Sequence, residues 1–229
     1  MALCLVCAME DEASLIREAS ELLSSERRGY ARIEKRRLGE KDFYLCVTGI
    51  GKVLSASGIT SVLNFHQDVD KVIDFGVGGS LDSKVCPVLS ALIGEDFVQW
   101  DMDVSPLGDP KGFLSGICEI YLYCDEALSR KLGDICDELG YPHALATIAS
   151  GDKFVVDPDE KKRIQNDFGA ISVDMESASV GEIVHVHGLP FAILRFISDD
   201  EDHYNEYVKN KPACIDMLTA VLLKLIGGE

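Results

Sequence analysis

The sequence predicts a mixed α/β fold with a largely parallel central sheet, and three observations carry that expectation. Apolar, β-branched runs alternate with helical patterns from end to end. Nearly every run stops abruptly in small residues or carboxylates. The chain has 229 residues, 47% of them hydrophobic, and no Pro-, Gly- or Ser-rich linker divides it, so a single domain over 1–229 is expected.

Strands are expected at 3–8, 43–47, 71–75, 91–93 with 97–100, 146–149, 170–173 and 191–197. Helices are expected at 11–24, 52–65, 125–139, 159–167, 175–186 and 213–226. The segment 27–47 reads as a hairpin-like pair, which makes the sheet mixed. No internal repeat or low-complexity block interrupts the pattern.

Composition narrows the partners. A net charge of −17, from 39 acidic against 22 basic residues, argues against nucleic acid and anionic membrane and leaves room for an uncharged nucleoside. No apolar run reaches the roughly 18 residues that a membrane span requires. The run at 3–8 lacks the basic lead-in of a signal peptide and passes straight into acid, so a cytoplasmic protein is expected. Of eight cysteines, Cys4 and Cys7 have CxxC spacing, but on a strand these positions face opposite sides, and a redox CxxC opens a helix. Free, buried thiols are expected instead. His185 and His187, two apart on a helix, face away from each other and suit a helix C-terminus better than a metal. Trp100 is read as core, and no metal or organic cofactor is expected.

In open parallel sheets, ligands bind beyond the carboxyl ends of the strands. Here the runs are followed by Met9-Glu10, Thr48-Gly-Ile-Gly51, Gly76-Val-Gly-Gly-Ser80, Gly94-Glu95, Ser150-Gly-Asp152, Asp174-Met-Glu176 and Ser198-Asp199. Small residues let a ligand approach the backbone, while acids move protons and bind hydroxyls. Taken singly, each acid has a plain structural account. Glu12 would complement a helix dipole, worth about 0.3–1 kcal/mol. Asp199 opens the acidic run Asp199-Asp-Glu-Asp202, and Glu176 could be an exposed helical acid. Together, acids after three separate strands suggest acid/base work on a small molecule. Neither Gly76-Val-Gly-Gly79 nor Thr48-Gly-Ile-Gly-Lys52 has the spacing of a phosphate loop.

Five motifs occur in order: Ala8-Met-Glu-Asp-Glu12, Thr48-Gly-Ile-Gly-Lys-Val53, Ser150-Gly-Asp-Lys-Phe154, Val173-Asp-Met-Glu176 and Arg195-Phe-Ile-Ser-Asp199. With them the chain resembles, over nearly its whole length, the 5′-methylthioadenosine/S-adenosylhomocysteine nucleosidases of the purine nucleoside and uridine phosphorylase superfamily. The resemblance implies a three-layer αβα sandwich around a twisted, mostly parallel mixed sheet, a homodimer, and hydrolysis of the N-glycosidic bond of adenine nucleosides within methionine salvage. It implies that Asp199 protonates adenine N7 and that Glu12 orients and deprotonates the attacking water. Glu176 and the backbone of Met175 would bind the ribose hydroxyls, with Arg195 near the water. Phe154 would stack on adenine, the Val155 backbone would read its edge, and Tyr204 would cover the ligand. Val77, Gly78 and Ser198 are counted as substrate-binding positions with them. Asp199 as an acid calls for a raised pKa, which its acidic neighbours could supply.

The chain departs from the family at several places. Val77 replaces a hydroxyl beside the ribose, and Asp174 stands for glutamate. The loop at 103–110 is shortened, and Leu107 falls where an aromatic usually reaches the partner's site. These changes touch the 5′-substituent pocket and leave open a different 5′ or base preference, such as that of a futalosine hydrolase, and a non-catalytic nucleoside binder. Phosphorolysis is disfavoured because the early loop carries Glu10, Asp11 and Glu12 and no arginine fork for phosphate.

Overall fold

The first strand, β1 (Ala2–Cys7), shows how the sheet acquires two buried faces. Its alternating side chains send Cys4 and Val6 into one core and Leu5 and Cys7 into the other. The computed structural model describes residues 1–200 and 203–228; of the acidic run, Glu201 and Asp202 lie outside the described residues.

Nine further strands follow: β2 (Glu21–Arg28), β3 (Ala31–Leu38), β4 (Lys41–Val47), β5 (Val69–Ser80), β6 (Ala91–Gln99), β7 (Leu122–Tyr123), β8 (His143–Ser150), β9 (Ser172–Asp174) and β10 (Phe191–Asp199). The helices are α1 (Ser14–Ala19), α2 (Lys52–Phe65), α3 (Glu126–Leu139), α4 (Pro158–Phe168), α5 (Ser177–Val186) and α6 (His203–Gly227). Ile59 and Val62 of α2 join Ala178 and Val184 of α5 over one sheet face. Ile16 of α1, Leu132 of α3 and Leu218 of α6 cover the other, which makes the αβα sandwich.

The mixed sheet runs β10-β6-β8-β9-β5-β1-β4-β3-β2, and β10 also pairs with β5. Strands β5, β10, β6, β8 and β9 therefore close a ring, from which β1, β4, β3 and β2 extend. Strand β5 makes this possible because it outruns β1. Its edge pairs with β1 through Asp74 and then with β9 at Gly79 and Ser80. The glycine motif that reads as a loop is thus the end of a strand. At Gly78 an added Cβ would lie 3.0 Å from Ser172 Oγ and 3.3 Å from the Val173 carbonyl, so ring closure leaves little room for a side chain there.

The other differences have local causes. Gly94 and Glu95 lie within β6, where the register with β8 shifts between Gly94 and Phe97, so the two expected pieces are one bulged strand. The helix expected over 11–24 is confined to α1, with Glu12 in the turn before it and Glu21 already in β2. Buried Arg36 ends α1 by donating to the carbonyls of Arg17 and Ser20, leaving Leu22 and Leu23 on an exposed strand. Helix α6 begins at His203 rather than 213, with Pro212 inside it. Asn210 Nδ2 donates to the Ser198 carbonyl and Lys211 pairs with Asp11, so tertiary bonds hold the turns that precede the proline.

All eight cysteines are free, and Trp100 is buried with Val98, Val155 and Phe168. Among the described residues no helix is long and apolar enough to cross a membrane.

Candidate active site

The carboxyl ends of β1, β5, β9 and β10 surround a cavity of about 340 Å³. Glu12, Val77, Gly78, Phe154, Val155, Met175, Glu176, Arg195, Ser198, Asp199 and Tyr204 all line it. Residues scattered over nearly 200 positions of sequence are therefore brought to one place by the strand order.

Glu12 leaves the turn after β1 and points inward, 2% exposed. Its Oε2 accepts from the Met9 N–H at 3.0 Å and its Oε1 from the Val77 N–H at 3.1 Å. Burial is the main influence and pushes its pKa up to about 7, against the opposing pull of Arg195 and the two backbone donors. Its acidic neighbours do not share its orientation. Glu10 turns outward to Arg17 and Arg32, and Asp11 pairs with Lys211 at 2.6 Å. The expected trio of phosphate-repelling acids is thus reduced to Glu12 on the cavity side.

Asp199 closes β10 opposite Gly79 of β5 and is 2% exposed. Ser198 Oγ donates to its Oδ1 at 2.7 Å. Lys161 of α4 binds the carbonyls of Ser80 and Asp200 at 3.0 and 2.5 Å, tying the end of β5 to the chain just past Asp199. Glu12 lies over Gly76 and Asp199 beside Gly79.

Glu176 sits at the α5 N-cap position, where Oε1 accepts from the Gly51 N–H at 2.9 Å. Burial first, then repulsion from Asp174, lifts its pKa to about 8. Arg195 borders the cavity, but most of its donors are engaged beneath it. Nε donates to Asp174 at 2.9 Å, while Nη2 donates to Asp74 at 2.5 Å and Ser177 Oγ at 2.9 Å. Burial alone would lower the guanidinium pKa, and the two aspartates more than reverse that. Asp74 itself rises to about 6, burial outweighing the pull of Arg195.

Apolar groups form the mouth. Phe154 is 45% exposed and meets Tyr207 edge to face at 5.8 Å, while Tyr204 is 72% exposed. Tyr207 escaped the sequence reading, although its i+3 spacing from Tyr204 would place both on one helix face. Met9, Ile50 and Lys153, which lie within the motifs but carry no expected role, also line the cavity, as does Phe75. Asp74 and Lys161 lie beneath the site and carried no motif signal. Among the described residues no group of three His, Cys, Asp or Glu side chains is placed to hold a metal ion.

A family model described as the phosphorylase superfamily matches residues 2–227. The 5′-methylthioadenosine/S-adenosylhomocysteine nucleosidase of Treponema pallidum is 30% identical over 214 residues, covering 84% of this chain and 78% of its own length. An aminodeoxyfutalosine nucleosidase of Helicobacter pylori is 35% identical over 164 residues, covering 71% and 69%. Among solved structures, the Helicobacter pylori 5′-methylthioadenosine/S-adenosylhomocysteine nucleosidase with butyl-thio-DADMe-Immucillin-A superposes with a TM-score of 0.93 at 27% identity, covering 100% of this chain and 99% of that one. The family match runs from β1 into the last turn of α6 and takes in every strand that frames the cavity, and the chain belongs to the phosphorylase superfamily.

Proposed function

We propose that this chain is an N-glycosyl hydrolase that cleaves adenine nucleosides such as methylthioadenosine and S-adenosylhomocysteine with water. The observation that carries the reading is the pair of buried acids, Glu12 and Asp199, on one cavity of nucleoside size. In this reaction the C1′–N9 bond breaks and its electrons pass to the purine. Asp199 gives its proton to N7, a water oxygen bonds to C1′, and Glu12 takes the proton that the water loses. A base with a pKa near 7 is matched to neutral pH, and each proton transfer contributes roughly 10²–10⁴ in rate. Glu176 and the Met175 backbone hold the ribose hydroxyls, Phe154 stacks on the base and the Val155 backbone reads its edge. Tyr204 and Tyr207 cover the 5′ side.

Water rather than phosphate is the nucleophile. Arg195 already carries two carboxylates, and Glu12, Glu176 and Asp199 present further acid to the cavity, so a phosphate dianion meets no free fork. A second reading, aminodeoxyfutalosine or futalosine as substrate, is favoured by the 35% identity to the Helicobacter pylori aminodeoxyfutalosine nucleosidase. The readings share cleavage of a purine ribonucleoside; aminodeoxyfutalosine differs at the 5′ group alone and futalosine at the base as well. The proposal extends to one domain over the whole chain, a cytoplasmic enzyme of methionine salvage, and a homodimer. Ile50 and Val53, 53% and 77% exposed where α2 begins beside the cavity, are apolar surface that a second copy would cover.

Incubation with methylthioadenosine, S-adenosylhomocysteine, aminodeoxyfutalosine and inosine, with and without phosphate, tests the assignment by chromatography of the released base. Adenine release at a rate indifferent to phosphate is expected. Phosphate-dependent cleavage, or no cleavage of any adenine nucleoside, overturns it.

A further inference from the structure

Asp74 is an anomaly in its strand. It follows Val72 and Ile73, is 1% exposed, does not line the cavity, and occupies a position that an apolar residue would fill at lower cost. Its polar partners are Arg195 Nη2 at 2.5 Å and Ser177 Oγ at 3.1 Å. The same guanidinium already has Asp174 on Nε. Its Nη1, which donates to the Leu194 carbonyl at 3.4 Å, lies toward Glu12: a Cβ on Gly76 would be 3.4 Å from Nη1 and 2.6 Å from Glu12 Oε1. Asp74 and Gly76 are two apart on β5 and so face the same side of the sheet.

We propose that Asp74 is a positioning residue for hydrolysis: by drawing on Arg195 through Nη2, it limits the positive field that reaches Glu12 and so sets the pH at which water is activated. This rests on the nucleosidase reading of the site. Asp74 touches neither substrate nor water and acts only through Arg195. A single bare guanidinium over Gly76 would hold Glu12 ionised and weak as a base, whereas a guanidinium shared between two aspartates leaves it basic.

The other charges around Glu12 do not substitute for Asp74. On its own turn, Asp11 is neutralised by Lys211 of α6. From β9, Asp174 engages the Nε side of the same arginine. From the start of α5, Glu176 is tied to the Gly51 N–H. On β10, Asp199 stands three β5 residues farther along, beside Gly79, and Cys7 of β1 is a buried thiol with a raised pKa.

The test is the pH profile of kcat/KM for an adenine nucleoside, in the unaltered protein and in Asp74→Asn. Asparagine can keep both hydrogen bonds and loses only the charge. Removing a negative charge strengthens the net positive field at Glu12, so the acid limb moves to lower pH by about half a unit to one unit, a three- to tenfold gain in relative rate on that limb. The plateau kcat falls because the base is weaker, and KM stays unchanged. Asp74→Ser serves as the second variant should asparagine not fold, and is expected to shift the limb in the same direction. An unmoved limb in a folded variant, a shift to higher pH, or loss of fold in both variants overturns the proposal, since the charge would then serve structure alone. Absence of base release by the unaltered protein is a separate result and defeats the underlying nucleosidase reading instead.

Discussion

Glu12 and Arg195 converge over Gly76, where a methyl group would sit 2.6 Å from the Glu12 carboxylate and 3.4 Å from the arginine Nη1. Neither partner is free to yield. Glu12 is held by the Met9 and Val77 N–H groups, and Arg195 by two buried aspartates. Gly76→Ala should therefore displace the base from its position. Adenine release is expected to fall about a hundredfold, since errors of about 1 Å in catalytic geometry cost that much. Stability should drop by about 1–3 kcal/mol from overpacking. A variant with normal kcat would show that Glu12 is not the base.

Why Gly76 was legible only as a loop is a matter of length and neighbours. Glycines punctuate sequences, and nothing local says that β9 will arrive to extend pairing at Gly79 and Ser80. The same limit applies to Glu12: its helix was cut short by Arg36, a residue 24 positions away in sequence. What was legible followed from periodicity and strand-end chemistry. Helix α2 has the expected bounds because Ser55, Ile59, Val62 and Leu63 mark one buried stripe. The eleven positions expected from the motifs and the family resemblance line one cavity. Asp74 and Lys161 carry no such signal, because a buried charge whose partners are distant side chains or carbonyls leaves no local pattern.

The acid cluster should make the folded protein less stable as pH rises. Glu12, Glu176 and Asp74 have folded pKa values of about 7, 8 and 6, above their ordinary 4.5, 4.5 and 3.8. The folded state thus binds protons more tightly than the unfolded one. Its contribution is complete below about pH 4, falls progressively above that, and is gone once pH has passed the folded values of about 6 to 8. Glu12→Gln removes one such group. Relative to the unaltered protein it should gain about 1–3 kcal/mol of stability between pH 5 and pH 8, while inactive. Thermal melts at the two pH values check this. A variant less stable at pH 8 than at pH 5, relative to the unaltered chain, contradicts the raised pKa of Glu12.

Phe154 lines the cavity mouth, 45% exposed, and meets Tyr207 edge to face at 5.8 Å. Loss of aromatic stacking on a nucleobase costs about 1–3 kcal/mol. Phe154→Ala should raise KM for methylthioadenosine about 5- to 100-fold with a smaller change in kcat. Initial-rate kinetics separate the two terms. An unchanged KM would remove Phe154 from the base subsite.

Ser198 and Asp199 form the last hydroxyl–carboxyl contact of β10, at 2.7 Å through Oδ1, while Oδ2 lies on the side of Gly79. The two side chains should separate orientation from proton donation. Asp199→Asn removes the transferable proton and should lower kcat about 10²- to 10⁴-fold with the fold intact. Ser198→Ala removes one hydrogen bond, worth about 0.5–1.5 kcal/mol, and should cost only about 2- to 12-fold. Adenine release at saturating substrate, beside thermal melts of both variants, makes the comparison. If the asparagine variant kept the full rate, adenine would be leaving on a proton from another group. If the alanine variant fell as far as the asparagine one, the hydroxyl would be as necessary to proton donation as the carboxyl, because one hydrogen bond does not account for a loss that large.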